Sequence, residues 1–198
     1  LMQNTEVDIK KYDTYFITPN YDYNFSKNYF EKIEKILDHG IKILQFRSKN
    51  LSDEQYCIVA KKIYKLCQKY NSLFIVSDLN NFSKNKYCDG VHLTSKNILH
   101  GNIKAIPSNY ITIGSCHNIS EIKICNKFKF KFKFIVISPI FDTGDKTGIG
   151  WRNFKILTGK SNIPVFALGG MDYKRDINTV KSFGGIGIAS ISYFYKLF

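Results

Sequence analysis

The sequence predicts an α/β fold, namely a single (β/α)8 TIM barrel, and three observations favour it. Eight short runs rich in β-branched or aromatic residues alternate along the chain with stretches of helical periodicity. Most of these runs are continuously apolar, which is typical of strands buried on both faces of a parallel sheet. Eight such units in a chain of 198 residues favour one closed barrel over an open doubly wound sheet.

The predicted strands cover residues 15–18, 41–47, 73–76, 90–93, 110–115, 132–138, 164–168 and 185–191. The predicted helices cover residues 25–39, 52–70, 119–128, 153–158 and 177–183, with a short polar helix between the third and fourth strands. Gly40 is placed to end the first helix, and Ser52 with Gln55 forms a capping box at the start of the second. We expect residues 1–198 to form one domain, with residues 1–12 as a poorly ordered extension.

The composition is that of a globular protein, 44% hydrophobic and 23% charged. No run of about 18 apolar residues occurs, and the N-terminus lacks the apolar core of a signal peptide. We therefore expect no membrane span and a cytoplasmic protein. The five cysteines are irregularly spaced and form no C-x-x-C pair, which agrees with that compartment and gives no sign of zinc.

The formal net charge of +13 raises the question of a nucleic-acid partner. Residues 127–132, KFKFKF, interleave basic and aromatic side chains. The lysines are spread along most of the chain, however, so we disfavour nucleic-acid binding. A positive field would also attract small phosphorylated substrates. A homodimer is compatible with the sequence.

In a barrel of this kind, the reactive groups lie at the carboxyl ends of the strands. The second strand ends in Gln45, Arg47 and Lys49, which alternation places on one side. Arginine and lysine together can clamp a diphosphate, and glutamine can hydrogen-bond a heterocycle. Asp78 follows the third strand and is a candidate ligand of Mg²⁺, with capping of the next helix as an equal alternative.

The later strand ends predict an acid–base group and a phosphate site. His117 follows the fifth strand among polar neighbours, whereas His92 lies within a strand and is interpreted as structural. The loop at residues 138–148 is long and polar enough to bind a ligand. Gly169 and Gly170 follow the seventh strand, and a short helix opens after the eighth. These features predict a phosphate site at the C-terminal ends of strands 7 and 8.

Taken together, the motifs resemble one superfamily. The segments QFRSK, VSDLN, DGVHL, IGSCH, SPIFDTGDK, IPVFALGGM and GIGIASIS are similar in order and spacing to thiamine phosphate synthases and TenI thiazole tautomerases. The likeness runs from about residue 15 to residue 194. It implies a small TIM barrel that joins hydroxymethylpyrimidine diphosphate to thiazole phosphate with Mg²⁺, releasing pyrophosphate.

The resemblance implies a role for each matching position. The pyrimidine diphosphate would be bound by Gln45, Arg47, Lys49 and, near the diphosphate, Ser115. The loop that meets thiazole phosphate and pyrophosphate would contribute Thr143 and Lys146. The thiazole phosphate cradle would comprise Gly170, Ile191 and Ser192. The metal ligands would be Asp78 and, at the second position, Asn97.

Three positions depart from the family pattern. Ser77 stands where the synthases have asparagine, and Asp145 stands where they have a second threonine. Asn97 stands where they have a second metal-binding aspartate, so a ligand there would lack the charge. Two alternatives to the synthase therefore stay open. One is a tautomerase that moves a proton with His117, and the other is a non-catalytic paralogue that binds thiazole phosphate.

Overall fold

The eight predicted strands are all present in a computed structural model that describes residue 8 and residues 11–198. The prediction for residues 1–12 falls mostly outside the described residues. The strands are β1 (Thr14–Ile17), β2 (Ile43–Phe46), β3 (Leu73–Ser77), β4 (Gly90–Leu93), β5 (Ile111–Cys116), β6 (Phe132–Ile137), β7 (Val165–Leu168) and β8 (Gly187–Ser190). Each pairs in parallel with the next, and β8 pairs with β1, so that the sheet closes. The predicted (β/α)8 barrel is confirmed.

Helices follow every strand. They are α1 (Ser26–Asp38), α2 (Asp53–Lys69), α3 (Leu79–Lys84), α4 (Ser95–His100), α5 (Ile119–Lys127), α6 (Gly150–Thr158), α7 (Tyr173–Ser182) and α8 (Ser192–Lys196). The capping box predicted for α2 is present, because the Ser52 side chain accepts from the Gln55 amide and Gln55 returns a bond to the Ser52 amide. Among the described residues, no helix is long and apolar enough to cross a membrane.

Two apolar layers explain why the strands are apolar on both faces. Inside the barrel, Tyr15, Phe134 and Phe166 pack edge-on or tilted against one another with centroid separations of 4.5–6.2 Å. Between the strands and the helices lies a larger cluster that includes Phe16 and Phe154, both fully buried. Adjacent residues of one strand, such as Tyr15 and Phe16, thus serve different layers.

The sequence prediction missed one helix and started two others late. Helix α4 has only six residues, and its capping box uses Asn97 where the usual motif has Glu or Gln. Helix α7 begins at Tyr173 because the Asp172 side chain accepts from the Arg175 amide, four residues before the apolar periodicity becomes visible. Helix α6 begins at Gly150, which ends the long loop after β6.

Candidate active site

A cavity of about 820 Å³ opens at the carboxyl ends of the strands. Every strand end contributes to its wall: Ile17, Arg47 to Lys49, Ser77 and Asp78, Thr94 to Lys96, Ser115 and His117, Ser138 and Pro139, Leu168 to Gly170, and Ser190 to Ser192. The loop after β6 adds Thr143, Asp145 and Lys146. All of the predicted site residues line this cavity except Gln45 and Asn97.

The loop after β1 hydrogen-bonds to the backbone of the two cationic residues that follow β2. The Arg47 amide donates to the Thr18 hydroxyl at 3.1 Å, and the Lys49 amide donates to the side-chain oxygen of Asn20 at 3.1 Å. These bonds fix the backbone on either side of Ser48, which is itself buried. The charged ends of Arg47 and Lys49 are thereby presented at the cavity, where they can meet an anion.

Gln45 lies one layer deeper than the cavity wall. It is 4% exposed, and its side-chain oxygen accepts the Tyr15 phenol at 3.0 Å. The Tyr15 oxygen also lies 2.9 Å from Nδ1 of His92, and Nε2 of His92 lies 2.8 Å from the hydroxyl of Ser115. Four polar side chains thus form one chain of hydrogen bonds from the barrel interior to the cavity wall at Ser115.

The donor and the acceptor in each of these hydrogen bonds follow from the number of protons that each side chain carries. Because Tyr15 gives its single proton to Gln45, its oxygen is left to accept from Nδ1–H of His92. The unprotonated Nε2 then accepts from Ser115. Burial, and after it the nearby charges of Arg47 and His117, lower the pKa of His92 to about 3. His92 is therefore neutral at physiological pH and supports Ser115, in keeping with its predicted structural role.

Asp78 combines a strained backbone with a capping side chain. Its φ of 57° and ψ of 164° lie outside the regions that non-glycine residues favour. One carboxylate oxygen accepts from the Asn81 amide at 2.9 Å, and the other lies 3.3 Å from the Asn81 side-chain nitrogen. Capping, the alternative to metal binding, is thus present. Since Asp78 also lines the cavity, the two roles are compatible.

The side-chain oxygen of Asn97 is already hydrogen-bonded to the backbone. It lies 3.3 Å from the amide of Thr94 and 3.3 Å from the amide of Leu79. The second of these bonds joins α4 to the start of α3. The oxygen that would ligate a metal is therefore used as an acceptor for two backbone N–H groups.

His117 has a defined tautomer. Its Nδ1 lies 2.6 Å from the carbonyl oxygen of Ser138, so Nδ1 carries the proton and Nε2 is the basic nitrogen. Its backbone amide donates to the buried carboxylate of Glu121 at 2.6 Å. Both contacts fix the imidazole at the cavity wall, and the free nitrogen is available to a ligand.

The loop after β6 packs against the two glycines that follow β7 and then forms a tight turn. Thr143 and Lys146 exchange two backbone hydrogen bonds, at 3.0 and 3.1 Å. Gly169 and Gly170 have φ values of 106° and 66°, and a Cβ on either would lie within 2.8 Å of Pro139 or Phe141. Glycine is thus required at both positions by conformation and by packing. Both glycines also line the cavity.

The sequence analysis missed two charged residues that line the cavity: Asp53, at the start of α2, and Lys96, in the first turn of α4. For Lys96, the position directly after the fourth strand was the available signal, but α4 had not been predicted. Asn81 also lines the cavity, from α3.

A family model described as thiamine monophosphate synthase matches residues 14–194, nearly the whole described chain. The chain belongs to this family. A relative from Aquifex aeolicus, named provisionally as a second thiamine-phosphate synthase, is 33% identical over 175 residues, which cover 87% of this chain and 92% of that protein. The thiamine-phosphate synthase of Prochlorococcus marinus subsp. pastoris is 35% identical over 170 residues. They cover 84% of this chain but only 48% of that longer protein.

A solved structure agrees with this assignment. The thiamine phosphate pyrophosphorylase from Pyrococcus furiosus superposes with a TM-score of 0.75 at 27% sequence identity, covering 92% of this chain and 87% of that one. The names of these relatives indicate a transferase and favour a synthase over the tautomerase and the non-catalytic paralogue.

The buried His92 predicts a specific dependence of stability on pH. Its pKa is about 3 in the folded protein and about 6.5 in an unfolded chain. Acidification therefore protonates the unfolded state first, and stability present above pH 6.5 is lost as the pH falls towards 3. Between pH 7.5 and pH 5, we expect this group alone to lower the free energy of unfolding by about 2 kcal/mol.

Urea denaturation of the wild type and of His92→Gln at both pH values measures this contribution. The variant should be less stable at pH 7.5 but should lose about 2 kcal/mol less on acidification. An equal loss in both proteins would show that His92 is not held neutral.

Proposed function

We propose that the protein is a thiamine phosphate synthase that joins hydroxymethylpyrimidine diphosphate to thiazole phosphate and releases pyrophosphate. The observation that supports this proposal is that two candidate anion-binding walls line one cavity. Arg47 and Lys49 form one wall after β2, and the turn at Gly169 and Gly170 forms the other after β7. A diphosphate and a monophosphate substrate need two such walls.

The reaction follows from the placement of these groups. The bond between the pyrimidine methylene carbon and the diphosphate oxygen breaks, and the thiazole nitrogen donates its electron pair to that carbon. Charge develops on the departing pyrophosphate, where Arg47 and Lys49 stabilise it. Lys146, on the loop after β6, lies at the same cavity and would support the leaving group from the other side. No proton transfer is needed to form the new bond.

The remaining residues would bind and orient the substrates. Gln45 would meet the pyrimidine from the cavity floor through its side-chain amide nitrogen, since its side-chain oxygen accepts from Tyr15. Ser77 and Ser115 would lie beside the diphosphate. Gly170, Ile191 and Ser192 would hold the thiazole phosphate, with Thr143 and Asp145 on the loop that covers it. His117 would form part of the cavity wall beside these groups.

The residues present fit a single-carboxylate site for Mg²⁺. Asp78 lines the cavity, whereas Asn97 uses its oxygen within the fold. No group of three or more His, Cys, Asp or Glu suited to a metal occurs within the described part of the chain. Magnesium is often bound by one or two carboxylates together with substrate phosphates and water. Asp78 would hold such an ion, which when bound would neutralise charge on the departing pyrophosphate.

The wall after β2 can be tested by Arg47→Ala. Removing the guanidinium should lower kcat/KM for the pyrimidine diphosphate by at least about tenfold, because a charged hydrogen bond is lost. Thiamine phosphate formed from the two substrates can be followed by fluorescence after oxidation.

Arg152→Ala is the matched control, since Arg152 is exposed on α6 and outside the cavity. It should leave kcat/KM unchanged. Absence of product from the wild type, while a known synthase is active in parallel, would contradict the proposed function.

The metal assignment predicts different effects for Asp78→Asn and Asn97→Ala. Asparagine at position 78 keeps a capping oxygen but removes the charge, so the Mg²⁺ concentration at half-maximal rate should rise several-fold. Asn97→Ala should lower the stability by about 1 kcal/mol through loss of the cap, without changing that concentration. A Mg²⁺ titration of activity with thermal unfolding of each variant measures both. An increased Mg²⁺ requirement in Asn97→Ala alone would place the metal at Asn97.

A further inference from the structure

The cavity contains a fourth cation that no motif of the resemblance covers. Arg47, Lys49 and Lys146 belong to the predicted site, and Lys96 lines the same cavity from α4. None of these four side chains forms an ion pair with any described residue. The four cations outnumber the three carboxylates of Asp53, Asp78 and Asp145 that line the same cavity, which favours a polyanionic ligand.

The carboxylates on the same side of the cavity are already engaged. Asp53 is paired with Lys84 and lies 3.2 Å from the side-chain nitrogen of Asn80. Both oxygens of Asp78 lie within hydrogen-bond distance of Asn81. Asp53 is therefore neutralised within the protein, whereas Asp78 keeps its charge for the proposed Mg²⁺.

The local structure gives no other reason for a lysine at position 96. Lys96 is the second residue of α4, and cations are disfavoured near the start of a helix. Helix α4 also lacks an acidic residue in its first turn. Lys96 is exposed and has no apolar contact role in the core.

The neighbours of Lys96 anchor its backbone. Thr94 and Asn97 form the capping box, and the Ser95 hydroxyl donates to the buried carboxylate of Glu121. The side chains of Thr94, Ser95 and Asn97 are thus hydrogen-bonded within the protein. The long side chain of Lys96 has no such bond to any described residue and can reach a ligand in the cavity.

We propose that Lys96 binds the diphosphate of the substrate and the released pyrophosphate. The inference rests on the proposed function, because it takes the cavity to accept a diphosphate. Lys96 then provides positive charge on the wall where Asn97 contributes no carboxylate, and part of the affinity for diphosphate is independent of metal.

Binding of inorganic pyrophosphate in the presence of EDTA tests this proposal by titration calorimetry. Lys96→Ala should weaken binding by about tenfold, which corresponds to the loss of one charged contact. Lys96→Arg keeps the charge and should stay close to the wild type. Lys123→Ala is the matched control, because Lys123 is an exposed helical lysine outside the cavity and its loss changes the net charge equally.

Equal affinity in Lys96→Ala and the wild type, or no binding of pyrophosphate by the wild type without metal, would overturn the proposal. A different result would overturn the proposed function, namely that the wild type forms no thiamine phosphate from both substrates with Mg²⁺. A weaker affinity in Lys96→Ala, together with that failure, would keep the pyrophosphate contact and reject only the synthase reaction.

Discussion

The pairing of β8 with β1 is the constraint on which the rest of the structure depends. Tyr15 pairs with Ala189 and Phe16 pairs with Ser190, and these pairs turn an open sheet into a barrel. Closure brings residues that are far apart in sequence, such as Arg47 and Gly170, to one cavity. The two walls proposed to bind anions lie in one cavity because the first and last strands meet.

Closure also creates a narrow interior that must be filled. Three aromatic rings and a larger number of aliphatic side chains fill it. Four polar side chains are linked in the chain from Gln45 through Tyr15 and His92 to Ser115. A buried polar group without a partner is costly, so each member of this chain needs the next. The floor of the cavity is therefore rigid, whereas the cations above it extend from loops and can adjust to a ligand.

Much of this arrangement could be predicted because the responsible signals are local. The apolar strands, the Ser52 capping box and the alternation of Gln45, Arg47 and Lys49 are visible in short stretches of sequence. The depth of Gln45 could not be predicted, since it depends on Tyr15 from another strand. The hydrogen bond from the Leu79 amide to the Asn97 side-chain oxygen could not be predicted either, because Leu79 lies at the start of a different helix, α3. Lys96 escaped notice because its helix is short and its capping motif is atypical.

One cavity is proposed to bind a diphosphate on the wall of β2 to β4 and a monophosphate at the ends of β7 and β8. A crystal structure of the protein with pyrophosphate and thiamine phosphate would test this arrangement. We expect pyrophosphate beside Arg47 and Lys49, and the phosphate of thiamine phosphate against Gly170 and Ser192. Ligands bound outside the cavity, or with the two anions on the opposite walls, would contradict this arrangement.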